Sequence, residues 1–292
     1  MGITLRKYTS SDLDVILPLA RRALARPEEQ LGRPLWRSDD DAGGDLDGWR
    51  DIEETLFVVE DDGAPVAFGG YVRDAHPNLF GPLVVPQCRG RQLPDRLLEA
   101  TIELASEKGA DWLTAAVGRR NPWAKRLLER YGFRSRERPT AVFRLRPREH
   151  SYVERRPGPV RVRPGVPDEV DAVFALYRES FPDGTRLKRR WRRWLELGEV
   201  NVAERAGELL GFVRLDAAWL THVGVTLEER GNGLGELLIQ RALETHWARH
   251  RDRELRLTVE VDNVPAIRLY RRLGFAPWLV LDVFDRELDA LS

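Results

Sequence analysis

The sequence predicts an α/β chain of two tandem domains, each a mixed, mostly antiparallel sheet flanked by helices. Three observations lead there. Short runs of alternating apolar residues read as strands, and the segments between them carry apolar residues at helical spacing. A chain of 292 residues exceeds the usual single domain. The order of elements also repeats: Arg230 follows Arg89 by 141 residues, Asn263 follows Asn121 by 142, and Gly274 follows Gly132 by 142.

The first domain is expected over 1–146. Residues 3–8 alternate as a strand. Ser10 or Ser11 caps a helix with the stripe Leu13, Ile16, Leu17 and Ala20. Residues 27–49, with Asp39, Asp40 and Asp41, read as a solvated loop. Asp61-Asp62-Gly63 turns the strand at 56–60 back into the strand at 65–72. A strand at 79–85 precedes the helix carrying Leu93, Leu97, Leu98, Ile102 and Ala105, which stops at Gly109. A strand at 112–117, a helix at 121–130 and a closing strand at 141–145 complete the half. The proline-rich, charged stretch 147–159 reads as a linker.

The second domain is expected over 160–292. It runs strand 160–163, a helix from Asp168, a basic helix at 186–197, strands 200–204, 209–215 and 220–225, and a glycine-rich loop opening a helix to about 249. A strand at 255–261, a helix at 264–272 and a last strand at 278–284 follow. In the basic helix Leu187, Trp191, Trp194 and Leu195 fall on one stripe, so its charges form the outer face rather than a nucleic-acid element.

Composition excludes several classes. Lys+Arg and Asp+Glu both number 47, so no global field favours nucleic acid or a membrane surface. The single cysteine, Cys88, allows no intrachain disulfide and fits a reducing compartment. The N-terminal residues lack a signal-peptide core, and no apolar run reaches membrane length. The expectation is a soluble, cytoplasmic protein. His246 and His250 share i,i+4 spacing without a third ligand, so no metal is expected and a solvated helix face is.

The chemistry concentrates in Val223-Gly224-Val225, then Arg230-Gly231-Asn232-Gly233-Leu234-Gly235. A strand ends, and a helix begins inside a loop whose glycines let the backbone approach a ligand. The open N–H groups and positive dipole end of such a helix hold phosphate. No Gly-Lys-Ser/Thr follows, so it is not a Walker loop. Downstream, Asn263, Ala266, Tyr270, Gly274 and Phe275 form a second pattern.

Together the two patterns resemble the Gcn5-related N-acetyltransferase (GNAT) superfamily, and in plan the tandem type that includes mycothiol synthase. The Glu260-x-Asp262-Asn263-Val264-x-Ala266 segment adds to that likeness. The resemblance covers nearly the whole chain as two acyl-CoA N-acyltransferase domains. It implies acetyl-CoA as cosubstrate and direct transfer to a primary amine of a small molecule or peptide. It implies that Arg230 to Gly235 hold the diphosphate, that a backbone N–H near Val223 to Val225 polarises the thioester, and that Tyr270 protonates the leaving thiolate. Asn263 then bonds the pantetheine arm or caps its helix. Many relatives carry a fourth-strand glutamate; here that strand reads Trp219-Leu220-Thr221-His222-Val223. His222, Glu260 and Asp216 are the candidates for the amine's proton, and water is the alternative.

The halves are not equal. Gln92 stands where Gly233 stands, Pro94 where Gly235 stands, and Leu128 where Tyr270 stands. Proline has no N–H to offer. The first half is therefore expected to be a scaffold and the second to be catalytic. A non-catalytic acyl-CoA sensor is the alternative, and the presence of Tyr270 speaks against it.

Overall fold

The computed structural model describes residues 2–23, 31, 52–72, 77–88, 92–147, 159–182, 188–216, 219–249, 251 and 254–288. The acidic run Asp39 to Asp41, Arg89 to Arg91, residues 148–158 of the linker, Leu187 and His250 lie outside them. The chain forms two compact units. Unit 1 is Met1–Thr140 with Leu279–Ser292, and unit 2 is Ala141–Trp278.

Unit 1 contains β1 (Ile3–Lys7), α1 (Leu13–Ala23), α2 (Ile52–Thr55), β2 (Leu56–Asp61), β3 (Ala64–Val72), β4 (Asn78–Val84), α3 (Leu93–Glu107), β5 (Trp112–Gly118), α4 (Pro122–Arg130) and β6 (Arg134–Ser135). Unit 2 contains β7 (Thr140–Leu145, from Ala141), β8 (Arg161–Pro164), α5 (Val170–Ser180), α6 (Lys188–Glu196), β9 (Val200–Arg205), β10 (Glu208–Asp216), β11 (Trp219–Val225), α7 (Leu234–Arg249), β12 (Leu255–Glu260) and α8 (Val264–Arg272). The last strand, β13 (Ala276–Glu287), gives its residues from Leu279 onward to unit 1.

That last assignment corrects the sequence boundaries 1–146 and 160–292. The strand at 141–145 lies beside β12 in unit 2, and the C-terminal strand lies beside β5 in unit 1. Leu281 to Glu287 run antiparallel to Gly118 to Trp112. Asp282 bonds Arg119 at 3.0 Å and Lys125 at 2.5 Å, and Thr114 Oγ1 donates to Asp285 at 2.7 Å. Periodicity marks both segments as strands but carries no information about which sheet edge each fills.

Within unit 1 the order is β1-β2-β3-β4-β5-β13, and within unit 2 it is β7-β12-β11-β10-β9-β8. Each unit has a parallel pair, β4 with β5 in one and β11 with β12 in the other. Their ladders are short: Asn78↔Thr114 in one, Trp219↔Arg256 and Leu220↔Leu257 in the other. Past those residues the two strands of each pair part, leaving a wedge between them.

One polar device appears twice. Arg6 bonds Asp12 and Glu60, each at 2.7 Å, while the Asp12 carboxylate accepts the Thr9 N–H at 2.8 Å. Arg163 likewise bonds Glu169 and Glu204, each at 2.6 Å, and Glu169 accepts the Val166 N–H at 2.9 Å. In both copies a first strand, the turn entering the first helix and a neighbouring strand are tied at one point. The helix start in unit 1 is thus held by Asp12 rather than by the side chain of Ser10 or Ser11. The hydrophobic face of α1 packs Ile16, Leu19 and Ala20 into the unit 1 core.

The basic helix α6 buries Trp191 and Leu195 against Val200, Val202 and Phe212, as its stripe predicts. His246 departs from expectation. It is 1% exposed and stacks its edge near Trp247, so this side of α7 is interior rather than solvated.

Candidate active site

Unit 2 carries the predicted residues on β11, in the loop that follows it, at the end of β12 and on α8. Thr226 N–H donates to Leu210 O at 2.9 Å, and the register then runs one for one from Gly211↔Val225 to Arg214↔His222. Hydrogen-bonded pairs alternate along an antiparallel ladder. Gly224 and His222 therefore spend their N–H groups on β10. Val223 and Val225 aim theirs the other way, into the wedge where β12 has parted. The Val223–Val225 stretch thus offers backbone donors in the gap beyond the β11–β12 ladder.

The register slips between Arg214 and Leu215, so Thr221 is an extra residue on β11. The bulge keeps Leu220, Val223 and Val225 with the cluster under α7, while His222 and Gly224 face α5 and α6. A Cβ on Gly224 would lie 2.4 Å from Ser180 Oγ, which explains the glycine.

The loop after β11 has the shape the glycines foretell. Gly231 and Gly233 adopt φ of 83° and 88°. Arg230 N–H bonds Leu227 O and Asn232 N–H bonds Glu229 O. The N–H groups of Gly231, Gly233, Leu234, Gly235 and Glu236 find no acceptor among the described residues. Asn232 turns its side chain back to Glu228 O at 3.1 Å, so it shapes the loop rather than pointing from it. Leu234 is fully buried and anchors the helix start. Arg230 is exposed, whereas its neighbour Glu229 is buried and neutralised by Arg205 at 2.6 Å. Gly235 is informative: its φ is ordinary, and a Cβ there would meet only Leu269 at 3.8 Å. Nothing among the described residues demands a glycine at 235.

Tyr270 sits half-buried on α8, its ring 5.9 Å from Phe275, in the same apolar cluster as Val223 and Val225. Burial pushes its hydroxyl up to about 12, so it stays protonated at neutral pH. Its hydroxyl has no protein hydrogen bond among the described residues. Asn263 takes the capping role: its Oδ1 accepts the Ala266 N–H at 3.2 Å. Asn121 caps α4 in the same way at 3.0 Å. Glu260 is exposed at the end of β12, and its carbonyl accepts the Asn263 N–H.

His222 lies in an aromatic cage. Its ring centre is 5.7 Å from Tyr177, 5.6 Å from Phe181 and Trp191, and 5.9 Å from Trp194. Its Nδ1 is 3.1 Å from Thr221 Oγ1. Thr221 in turn accepts from Arg214, which is held by Glu199 and stacks 3.8 Å over Trp194. Sequence reading missed this Glu199–Arg214–Thr221 chain, because the contact between β10 and the bulge leaves no local pattern.

Unit 1 differs from unit 2 at the described positions equivalent to Val223, Gly233, Gly235 and Tyr270. Gln92 holds the left-handed conformation of Gly233, at φ 56°. Pro94 is buried in the first turn of α3. Register pairs Phe68 with Leu83 and Phe212 with Gly224, so Pro82 matches Val223 and offers no N–H to the wedge. Leu128 is fully buried in the core, and the Tyr131 hydroxyl is committed to Glu99 at 2.7 Å and Asp95 at 3.1 Å.

Residues 19–133 and 170–275 each match the Acetyltransferase (GNAT) family. The chain belongs to that family. It is an acetyl-CoA-dependent N-acetyltransferase by that membership. It is 31% identical over 286 residues to a mycothiol acetyltransferase of Thermobispora bispora, covering 85% of this chain and 93% of the relative. Two solved structures share the fold. A GCN5-related N-acetyltransferase from Sphaerobacter thermophilus has a TM-score of 0.74 at 20% identity, over 98% of this chain and 96% of that one. A tandem GNAT protein from the clavulanic acid biosynthesis pathway has a TM-score of 0.70 at 20% identity, over 99% of both. No helix among the described residues is long and apolar enough to cross a membrane.

Proposed function

We propose that unit 2 alone transfers the acetyl group of acetyl-CoA to a primary amine of a small molecule or peptide, by direct attack. The observation that carries this reading is the contrast between equivalent positions. Unit 2 has open N–H groups at 231 and 233–236 and at Val223 and Val225, beside a protonated Tyr270. Unit 1 has Gln92, Pro94, Pro82 and Leu128 there.

The residues divide the work. The loop N–H groups and Arg230 hold the diphosphate. The Val223 or Val225 N–H bonds the thioester oxygen as it gains charge. The amine nitrogen forms its bond to the carbonyl carbon, the carbon–sulfur bond breaks, and Tyr270 gives the sulfur a proton. Tyr270 is well above the ordinary thiol range of about 8.5, so it acts by hydrogen-bonding the sulfur as charge builds, and completes transfer late. Two side chains stand for the amine's proton, and they differ in setting: His222 is enclosed by rings, while Glu260 is exposed.

Free-thiol release from acetyl-CoA, with mycothiol-related amines first and then aminoglycosides, polyamines and peptide N-termini, tests the reading. Turnover with at least one amine, at one acetyl-CoA per chain by calorimetry, is expected. Tight binding without turnover on any amine would replace it with a sensor, and two equivalent sites would remove the single-unit assignment.

A further inference from the structure

We propose that Leu31 fills the gap of unit 1 that corresponds to the gap beside Val223–Val225 in unit 2, so that unit 1 is occupied by its own chain and takes no acyl-CoA arm. Leu31 comes from the stretch expected as a solvated loop, yet it is 2% exposed and belongs to the unit 1 core. It forms an antiparallel bridge with Val117 of β5. Its neighbours fix the edge on which it lies. β13 runs along one edge of β5 over the whole of Trp112–Gly118. Arg119 N–H bonds Val280 O on that side, and Thr114 N–H bonds Pro77 O on the other, next to β4. Backbone groups alternate between the two edges of a strand. Val117 therefore spends its own N–H and C=O on β13, while Ala116 and Gly118 turn theirs to the β4 edge. Leu31 stands on that edge, beyond the β4–β5 pair Asn78↔Thr114. That place is the wedge where β4 has parted from β5.

The offsets of 141 and 142 residues make the two gaps equivalent. Asn78↔Thr114 corresponds to Trp219↔Arg256, and Val117 to Val259. Among the described residues no isolated bridge reaches Val259, and the Val223 and Val225 N–H groups look into that gap. The arm of acetyl-CoA is an extended chain carrying amide groups, so it can pair with a strand edge as a peptide does. In unit 1 a peptide is already there. Its bridge takes the edge of β5 that an arm would pair with, and the buried Leu31 side chain would have to be displaced into water. Pro82, on the β4 side, has no N–H, so a filler that bonds β5 alone leaves no donor unmet at that position. The occupancy stands on the unit 1 contacts alone, and its meaning for acetyl transfer rests on the proposed function.

Two measurements on the full chain test it. Leu31 and Val117 form a non-hydrogen-bonded pair, for which Cα atoms lie about 4.5 Å apart, within the span of a disulfide. Cys88 is the chain's single cysteine, so Cys88→Ser removes any competing thiol. In that background Leu31→Cys with Val117→Cys should lose both free thiols on mild oxidation. The oxidised protein should bind acetyl-CoA by calorimetry with the stoichiometry and affinity of its reduced form. Thiols that stay free in a folded protein overturn the occupancy. A disulfide that removes an acetyl-CoA site also overturns it, because the gap would then belong to the ligand. Where these substitutions prevent folding, amide hydrogen exchange of the unsubstituted protein decides. A bridge centred on a non-hydrogen-bonded pair is made through the flanking residues, so Gly118 N–H is the β5 donor it covers. That amide should exchange as slowly as Val117 N–H, which faces β13, and acetyl-CoA should leave it unchanged. Fast exchange, or slowing only when acetyl-CoA is added, overturns the proposal. The Val223 and Val225 amides report unit 2 separately. If acetyl-CoA fails to protect them while Gly118 stays slow, the acetyl-transfer reading fails and the occupancy of unit 1 stands.

Discussion

Gln92 and Gly233 stand at equivalent positions before α3 and α7, and the helices they enter differ in what they can donate. Gln92 and Gly233 both take a left-handed φ, and each helix begins one residue later. Asp95 pairs with Arg130 where Glu236 pairs with Arg272. Yet the second residue of α3 is Pro94, which has no N–H, where α7 has Gly235, whose N–H finds no acceptor among the described residues. The lesson is that a left-handed entry into this helix is kept at residue 92 although the residue there is no longer glycine. Backbone conformation at this position therefore does not separate the two halves; the residues that can donate do.

Four measurements sharpen or break this contrast. The largest effect belongs to Tyr270. Tyr270→Phe should lower kcat by about 10²–10⁴ with acetyl-CoA affinity nearly unchanged, because the hydroxyl matters only as charge builds on sulfur. An unchanged kcat, with chemistry rate-limiting, would return Tyr270 to packing and make it the equal of Leu128.

Next is the loop itself. Gly233→Gln with Gly235→Pro writes the first loop into the second. Acetyl-CoA affinity by calorimetry should fall about 10²-fold, the worth of one or two charge-assisted hydrogen bonds, while the melting temperature changes little. Retained affinity would mean that the diphosphate is held by something other than these N–H groups.

The duplicated Arg–carboxylate device should behave alike in both units. Asp12→Asn and Glu169→Gln are each expected to cost about 1–2 kcal/mol in denaturant unfolding. Arg6 holds Asp12 down to about 2, and Arg163 holds Glu169 below the usual carboxylate range. A carboxylate depressed in the folded state stabilises above its ordinary pKa, and that share is lost as pH falls through the folded value. For Asp12 the window runs from the ordinary 3.8 down to about 2. The loss over that window should be absent in Asp12→Asn. A large cost in one unit and none in the other would show that the two scaffolds are not held equivalently.

The smallest expected change is Gly235→Ala. One ordinary contact, with Leu269 at 3.8 Å, and an ordinary φ at 235 predict a gain of about 0.5–1 kcal/mol from the lost chain entropy of glycine. Acetyl-CoA binding should weaken at the same time. Stability and affinity moving in the same direction would remove the argument that this glycine serves a ligand.

What was legible in the sequence was whatever the chemistry writes locally. The Arg230–Gly235 loop and the Asn263–Phe275 helix are contiguous, and their spacing carries their geometry. The stripe of α6 was equally plain, because Trp191 and Leu195 recur at helical spacing. Three features were not. The partner of each final strand depends on edges far away in the chain. The bulge at Thr221 appears only when β10 is laid beside β11. His246, a polar residue four positions before His250, looked like a solvated face, but burial is set by what packs over α7. Pro82 lay within reach: carrying the 141-residue offset back from Val223 finds it.

The placement of β13 also has a consequence in time. During synthesis the edge of β5 is delivered long before Leu279–Glu287, the segment that covers it. At ribosomal rates of about 5–20 residues per second, the delay is on the order of 10 s. For that interval Trp112–Gly118 is an unpaired edge with free N–H and C=O groups, open to any passing strand. The nascent chain is therefore most vulnerable to aggregation after β5 is made and before Leu279–Glu287 emerge.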